Sequence, residues 1–327
     1  MLKFPLHSAA CIALGLAAVA HAQTVKTQLN FAQPVAGVTV NPATNRIYLV
    51  QPSFGGTSDT LTVVNGSTDQ VVQNIPVPVG AYLPAVNLLT NKIYIASCNT
   101  FATSPSCFVT VVDGWKNRVQ KQIPITTNEG NGLLGIAVDV LTNKVYVSNA
   151  TDGVIDIIDG RTNRVTGTIG VSGTTPTGLA VNPFAHRLYV PLGDSEVEIF
   201  NTKTDAYVST TTVGSADSFA AVNLVTGNLY VTDAATAPST IAVLTQSGAV
   251  TTTVPVGDTP YGLDVDPITN RIYVASTALN LITAVDGKTN TAAATVTNVP
   301  ANFVAVNFVS EKVYVSGGNS LTVLTEK

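Results

Sequence analysis

A segment of 14 residues recurs seven times along this chain of 327 residues, and it constrains the fold more strongly than any other feature of the sequence. In each copy a hydrophobic stretch ends at Asn or Asp, a short turn follows, and a second hydrophobic stretch contains a tyrosine. These tyrosines lie 41 to 52 residues apart, a period typical of propellers and solenoids. The copies span 37–50, 83–96, 135–148, 178–191, 219–232, 262–275 and 303–316.

Each copy is followed by two further segments with the pattern of short strands, as in GVIDIIDGRTNRVTGTIGV (153–171). Hydrophobic residues alternate with a period of two, and Asn-Pro, Asp-Gly and Thr-Asn turns connect the segments. Four short strands per repeat match a propeller blade. An α-solenoid would need a helical periodicity that the repeats lack, and a parallel β-helix would need shorter coils.

The two ends of the chain predict how the ring closes. The seventh repeat stops after its third strand, SLTVLTEK (320–327), and TVKTQLNFAQPVAG (24–37) resembles the fourth-strand segment VVQNIPVPVG (71–80). An N-terminal strand that completes the last blade would remove an exposed sheet edge. The sequence therefore predicts an all-β, seven-bladed β-propeller of four-stranded antiparallel blades over residues 23–327.

Several of these segments resemble a known family. LYVTD (229–233) and VYVSN (145–149) are similar to the namesake motif of the YVTN-repeat β-propellers, and VIDIIDGRTNRV (154–165) is similar to their third strand and turn. The resemblance covers residues 23–327 and implies the fold. It leaves the function open, because related propellers include surface and periplasmic binding proteins, a DNA-binding member, lactone hydrolases and streptogramin lyases.

Residues 1–22 are typical of a cleavable export signal. Lys3 precedes an apolar run from Ala9 to Ala20, and Ala20-His21-Ala22 forms a small-x-small cleavage site. The alternative is a transmembrane anchor, which needs about 20 apolar residues. The run is shorter than that, so we expect a periplasmic or secreted protein that is cleaved near Ala22 and has no transmembrane segment.

The two cysteines that follow the leader flank a loop rich in Ser, Thr and Pro. Cys98 and Cys107 lie in SCNTFATSPSC (97–107). In an oxidising compartment this arrangement predicts one disulfide. A pair of free thiols is the alternative.

The charge and the histidine content exclude several classes of function. A net charge of -4 and a pI of 5.3 argue against nucleic-acid binding driven by bulk charge. His186 is the single histidine beyond the leader, whereas a Ser-His-Asp triad needs a histidine at its site and zinc or copper sites need several. We therefore expect no catalytic set, no metal site and no cofactor, although carboxylates leave Ca²⁺ or Mg²⁺ open.

A propeller has two rims with different connections. We call the face with the turns between strands one and two and between strands three and four the tight-turn rim, and the opposite face the loop rim. The tight-turn rim receives twelve bases and eight acids, and the loop rim receives seven acids and no base. Six bases open the second strands: Arg46, Lys92, Lys144, Arg187, Arg271 and Lys312. Ordinary solvated cations explain this ring most simply. The alternative is that it binds a polyanion, nucleic acid or polysaccharide, against which the eight acids of the same rim argue.

One repeat position varies although its neighbours are constant, and it faces the central channel at the loop rim. It holds Ala36, Tyr82, Leu134, Thr177, Ser218, Tyr261 and Asn302. Variation at a shared mouth suits an asymmetric ligand site, but unconstrained loops vary in the same way. Asp258 adds an acid at this rim. Asp264 replaces a small residue of the repeat, and a carboxylate there must be paired or hydrated, either as a tie to the next blade or as a functional group.

Two enlarged loops rise from the loop rim in blades 1 and 2. They are QPSFGGTSD (51–59) and CNTFATSPSC (98–107), and they carry Phe54 and Phe101. Together with Tyr82 and Tyr261 these residues predict an aromatic wall suited to a neutral or cationic ligand. Long surface loops that are merely tolerated are the alternative.

These observations favour an exported, monomeric propeller that binds a small ligand or an envelope partner at the loop rim without catalysis. One alternative is a carboxylate- and metal-dependent hydrolase or lyase of the lactonase type. The other is a polyanion-binding protein that uses the six-base ring.

Overall fold

The chain folds into a ring of seven sheets. A computed structural model describes residues 23–53, 55–99, 106–127, 132–172, 175–214, 219–234 and 238–325. Within these ranges 28 strands form seven four-stranded antiparallel sheets, and no helix occurs. The protein is an all-β, seven-bladed propeller, as the repeats predict.

The strands of each blade run in sequence from the channel outwards. The first strand, β1 (Thr24–Asn30), precedes the blades. Blade 1 contains β2 (Val38–Asn41), β3 (Arg46–Gln51), β4 (Asp59–Asn65) and β5 (Gln70–Val77). Blade 2 contains β6 (Ala81–Asn87), β7 (Lys92–Asn99), β8 (Ser106–Asp113) and β9 (Arg118–Ile125). Blade 3 contains β10 (Leu133–Asp139), β11 (Lys144–Asn149), β12 (Val154–Asp159) and β13 (Arg164–Gly170).

The remaining blades repeat this plan. Blade 4 contains β14 (Ala180–Asn182), β15 (Arg187–Pro191), β16 (Glu196–Asn201) and β17 (Ala206–Thr212). Blade 5 contains β18 (Ala220–Val222), β19 (Leu229–Asp233), β20 (Thr240–Leu244) and β21 (Val250–Pro255). Blade 6 contains β22 (Pro260–Asp266), β23 (Arg271–Ser276), β24 (Leu281–Asp286) and β25 (Thr291–Thr297). Blade 7 contains β26 (Phe303–Asn307), β27 (Lys312–Gly317) and β28 (Ser320–Thr325).

The N-terminal strand completes blade 7. β1 pairs antiparallel with β28, so that Thr24 lies opposite Thr325 and Asn30 lies opposite Ser320. The sheet order is β1-β28-β27-β26. Leu29 and the nearby Phe31 pack against a hydrophobic cluster formed by blades 7 and 1. The predicted closure of the ring is therefore confirmed.

The seven repeated tyrosines form part of the core. Each is fully buried, so their shared role is packing. They are Tyr48, Tyr94, Tyr146, Tyr189, Tyr230, Tyr273 and Tyr314.

The Asn or Asp that ends the first strand of each blade caps a turn and, in several blades, also ties two blades together. Oδ1 of Asn41 accepts a hydrogen bond from the backbone N–H of Ala43 at 3.1 Å, and Nδ2 of Asn41 donates to Oδ1 of Asn91 in blade 2 at 2.7 Å. Asn and Asp side chains commonly cap turns in this way. The bond between blades recurs in three further pairs: Asn87–Asn143, Asn223–Asn270 and Asn307–Asn45.

The predicted disulfide is present in blade 2. Cys98 in β7 lies opposite Cys107 in β8, and the two residues are bonded. The bond fixes the two strands where the enlarged loop of this blade begins. Phe54, Phe101, Ser218 and the leader 1–22 lie outside the described residues, so the expectations about them stay predictions.

Candidate functional site

Two tyrosines span the mouth of the central channel at the loop rim. Tyr82 comes from β6 in blade 2 and Tyr261 from β22 in blade 6, and their hydroxyl oxygens are 2.6 Å apart. Either hydroxyl can be the donor in this hydrogen bond. Two predicted site residues that are 179 positions apart in the chain therefore meet across the mouth.

Two phenylalanines join the tyrosines in a group of four rings, which we call the mouth cluster (Tyr82, Phe219, Tyr261 and Phe303). The ring centroids of Phe219 and Tyr261 are 4.7 Å apart, and those of Tyr261 and Phe303 are 5.1 Å apart. Tilted and edge-on contacts at these distances are favourable. Phe219 and Phe303 line both the mouth and the channel beneath it, so the cluster separates the two spaces.

Glycines in neighbouring blades make room for these phenylalanines. A Cβ at Gly178 would lie 2.7 Å from Cδ1 of Phe219, and a Cβ at Gly262 would lie 2.6 Å from Cα of Phe303. All four residues occupy the same repeat position, so a large residue in one blade depends on a glycine in the blade before it. This pairing of glycine and phenylalanine in successive blades could have identified Phe219 and Phe303 as mouth residues. Their residue type alone did not.

The contact between Tyr82 and Tyr261 divides the mouth into two depressions. One, of about 170 Å³, extends towards blades 3 to 5 and is lined by Leu134 and Thr177 together with three rings of the cluster, those of Tyr82, Phe219 and Tyr261. The other, of about 370 Å³, extends towards blades 7 and 1 and includes Ala36 and Asn302. The six described residues of the variable repeat position thus all line the mouth.

The remaining predicted mouth residues are less available to a ligand. The hydroxyl of Thr177 is buried and donates to the carbonyl of Pro191 at 3.2 Å. Asp258 is exposed but lines neither depression. Asp59, one of the expected loop-rim acids, is buried and accepts hydrogen bonds from the backbone N–H groups of Ser53 and Ala81. The acidic character of this rim is therefore weaker than the sequence predicts.

Asp264 lies in the channel beneath the mouth cluster, so the structure does not bring it together with the mouth tyrosines. The channel cavity has a volume of about 390 Å³, and Thr39 and Asp264 are the polar side chains of its described lining. Oδ2 of Asp264 accepts from the backbone N–H of Val306 in blade 7 at 2.8 Å. The carboxylate ties two blades, which is one of its two predicted roles.

Burial gives Asp264 a pH-dependent effect on stability. It raises the pKa of this carboxyl from 3.8 to about 6, although hydrogen bonds from two backbone N–H groups oppose the shift. Burial likewise raises the pKa of Asp156 in blade 3 to about 6. Because the folded state binds these protons more tightly than the unfolded chain, stability falls as the pH rises from about 4 to about 6.

We expect the protein to be more stable at pH 5 than at pH 7.5, with about 1 kcal/mol from each of these two carboxyls. Asp264→Asn and Asp156→Asn should each remove about half of the gain, and the double variant should remove nearly all of it. Denaturant titrations at the two pH values measure the effect. An undiminished gain in the double variant would show that other groups cause it.

The six-base ring is partly occupied by contacts between blades. Lys92 donates to the carbonyl of Gly160 at 2.6 Å, Lys144 lies 2.6 Å from Asp205, and Lys312 lies 2.8 Å from Asp69. Each contact reaches the turn between strands three and four of the next blade. Arg46, Arg187 and Arg271 are half-buried. The sequence suggested either a polyanion site or solvated cations. It did not predict that these lysines join neighbouring blades.

The described part of the chain contains one histidine, His186. No three His, Cys, Asp or Glu side chains converge there as a metal site would require. His186 occupies a turn of blade 4 at the tight-turn rim, with φ of 54°, opposite the mouth. The described residues also contain no helix long and apolar enough to cross a membrane.

Known proteins with similar sequences support the assignment of the fold. No family model matches the chain. Two curated relatives are similar to it, both named uncharacterized protein YncE, from Salmonella typhi and Salmonella typhimurium. Each is 25% identical over 249 residues, which cover 72% of this chain and 67% of the relative. This similarity and the ring of seven four-stranded blades together support a YncE-like repeat β-propeller.

Proposed function

We propose that the protein is a non-catalytic binding protein whose ligand occupies the mouth of the channel at the loop rim. The observation that carries the proposal is the pair of depressions, about 170 and 370 Å³, on the two sides of the tyrosine contact. Ligand sites are typically concave and largely apolar, with a few polar groups that orient the ligand. Aromatic rings and the hydroxyls of Tyr82 and Tyr261 give the mouth this character.

The ligand class follows from the groups that face the mouth. Aromatic faces stack on planar ligands and attract cations. The loop rim has no Lys or Arg in its sequence, and Asp194 and Asp258 are exposed there. A small planar compound that is neutral or positively charged fits these groups best. A polar substituent on it could take the place of the hydrogen bond between the two tyrosines.

We also propose that the protein acts in the periplasm or outside the cell, after cleavage near Ala22. The charged start, the apolar run and the small-x-small site support this step. A disulfide between Cys98 and Cys107 agrees with an oxidising compartment. N-terminal sequencing of the purified protein tests it.

The test of the mouth is a thermal-shift screen with small aromatic and quaternary ammonium compounds, followed by calorimetry on the variants Tyr82→Ala, Tyr261→Ala and Phe101→Ala. Each variant should weaken a bound compound by about 1–3 kcal/mol if these rings are binding anchors. Tyr207→Ala is the matched control, because Tyr207 is an exposed tyrosine on the outer strand of blade 4. It should leave the affinity unchanged.

Two results would contradict the proposal. If a compound binds and all three mouth variants keep its affinity, the site lies elsewhere on the protein. If the protein converts bound lactones or related compounds at ordinary enzyme rates, the hydrolase or lyase alternative is correct.

A further inference from the structure

A ring of exposed apolar side chains surrounds the channel on the tight-turn rim. In the turn between the first two strands, the second residue after the capping Asn or Asp is large and apolar in six of the seven blades. These side chains are between 53% and 71% exposed. We call them the apolar collar: Leu89, Leu141, Phe184, Val225, Ile268 and Val309. Blade 1 has the small Ala43 at this position.

The collar borders the open end of the channel. In all seven blades the residue just before this turn position lines the channel cavity; these residues are Pro42, which precedes Ala43, and Leu88, Val140, Pro183, Leu224, Pro267 and Phe308, which precede the collar residues. Leu88 and Leu224 line the cavity and are also exposed, which shows that the cavity opens at this rim. Apolar surface is therefore continuous from the channel wall to the collar.

The turn itself does not require apolar residues. Asn87 caps its turn by accepting hydrogen bonds from the backbone N–H groups two and three residues later, and the first of these belongs to Leu89. Asp159 caps the outer turn of blade 3 in the same way, and there the equivalent residue is Arg161. The other described outer turns capped in this way carry Ser67, Trp115, Lys203 and Lys288 at the same place. Identical turns are thus mostly polar outside the collar, and folding does not explain its composition.

The exposed charge around the collar is positive. Of the bases on this rim, six are exposed: Lys116, Arg118, Arg161, Arg164, Lys203 and Lys288. Of the acids, Glu311 alone is exposed among the described residues. The aspartates are buried or half-buried, and several cap turns with their carboxylates, as Asp113 and Asp286 do. Two of the exposed bases, Lys116 and Arg161, also form local ion pairs, which are weak at such exposure.

We propose that the tight-turn rim docks on the surface of a bilayer that contains anionic lipid. An apolar ring with basic residues further from the axis matches the two parts of such a surface, the acyl boundary and the anionic headgroups. Trp115, which is 71% exposed on an outer turn of this rim, is a residue type enriched at membrane interfaces. The loop-rim mouth then faces away from the membrane and stays open to a ligand.

A bilayer fits the collar better than other partners do. The apolar side chains stand on separate turns around an opening, so they form a set of protrusions and not one continuous groove. A fluid interface adapts to such protrusions, whereas a folded protein would need a complementary surface at every blade. A soluble polyanion would use the bases and leave the collar without a role.

The test measures vesicle binding of residues 23–327, which contain all 28 described strands and omit the apolar leader. Trp115 is the single tryptophan of the chain, so its fluorescence reports directly on this rim. Vesicles of equal parts phosphatidylglycerol and phosphatidylcholine should bind the protein and shift this emission to shorter wavelength. Pure phosphatidylcholine should bind it far more weakly, and raising the salt from about 0.1 to about 0.5 M should weaken binding to the anionic vesicles.

Two matched sets of substitutions identify the surface. The triple variant Leu89→Thr, Phe184→Thr and Ile268→Thr should lower the vesicle partition coefficient by at least about tenfold, because binding depends on the inserted apolar area as well as on the attraction to anionic lipid. Val72→Thr, Tyr207→Thr and Val250→Thr remove three exposed apolar residues from outer strands and should have no such effect. Unchanged melting temperatures verify that both variants are folded.

Several outcomes would overturn the proposal. These are the absence of binding to anionic vesicles, or equal binding by the collar variant and the parent. Binding to heparin as strong as binding to vesicles, without dependence on the collar, would identify a polyanion site. Self-association that the collar variant abolishes, without vesicle binding, would identify an interface between copies of this chain.

Discussion

Removal of residues 24–33 is expected to lower the free energy of unfolding by about 3–5 kcal/mol and to make the protein aggregate. The half-buried Leu29 and Phe31 would leave the core cluster of blades 7 and 1, and each contributes part of the ~1.5–3 kcal/mol that complete burial of such a side chain provides. The backbone of Ser320–Thr325 would become an unpaired edge, which recruits other chains. Denaturant titration and light scattering of the deletion and the parent measure the two effects.

The control for this deletion keeps the strand and changes its outer surface. Val25→Thr combined with Gln28→Thr alters exposed side chains of β1 without removing a backbone partner of β28. This variant should unfold like the parent. Added peptide 24–33 should restore part of the lost stability of the deletion. Unchanged melting of the deletion itself would mean that the ring does not depend on this strand.

The fold could be predicted because the same sequence pattern recurs in each of the seven blades. Seven copies of one pattern fix the strand period, and the incomplete last repeat with its match at the N-terminus fixes the closure. The residue type alone predicts that the Asn side chains at the ends of the first strands cap turns. Their second bond was not foreseen, because Asn41 and Asn91 come together only once two blades pack.

The candidate site was predictable in outline and not in detail. The variable repeat position identified Tyr82 and Tyr261, but their mutual contact depends on how far each side chain reaches across the channel. Phe219 and Phe303 occupy a repeat position where four of the other five blades have glycine, so their role emerges from pairs of blades and not from single repeats. Asp264 was singled out correctly as unusual, yet its depth in the channel separates it from the mouth.

The contacts of the basic residues were likewise not predictable from single repeats. Spacing placed six bases at the tight-turn rim, but spacing does not show which carbonyl or carboxylate a lysine reaches. Lys312 is buried against the turn of blade 1, whereas Lys144 makes the same kind of contact and remains more exposed. How deeply each lysine is buried depends on how neighbouring blades pack. The residues next to the lysine in the sequence do not show this.

Loss of the Asp69 carboxylate is expected to be among the most destabilising single changes in the protein. Asp69 lies in blade 1, where it is 2.8 Å from Lys312 of β27 and 2.6 Å from Lys26 of β1. It therefore joins blade 1 to two strands of blade 7 at the point where the ring closes. Lys312 is buried, and removal of one partner of a buried ion pair costs about 3–5 kcal/mol, because the remaining charge loses its compensation. We expect Asp69→Ala to lower the free energy of unfolding by about this amount, as measured by denaturant titration.

Two comparisons separate burial from the loss of a contact. Asp205→Ala in blade 4 removes the equivalent carboxylate at the same backbone conformation, with φ of 56° against 54° for Asp69. The side chains of Lys144 and Asp205 are 24% and 28% exposed, against 9% and 5% for Lys312 and Asp69, so water can solvate the lysine that remains. This variant should therefore cost less than Asp69→Ala. Asp69→Asn should also lower the free energy of unfolding by less than Asp69→Ala. In blade 3 the equivalent residue is Asn163, and its side-chain amide oxygen accepts a hydrogen bond from Lys92. Equal losses for Asp69→Ala and Asp205→Ala would show that the contact, and not the burial of Lys312, sets the energy of ring closure.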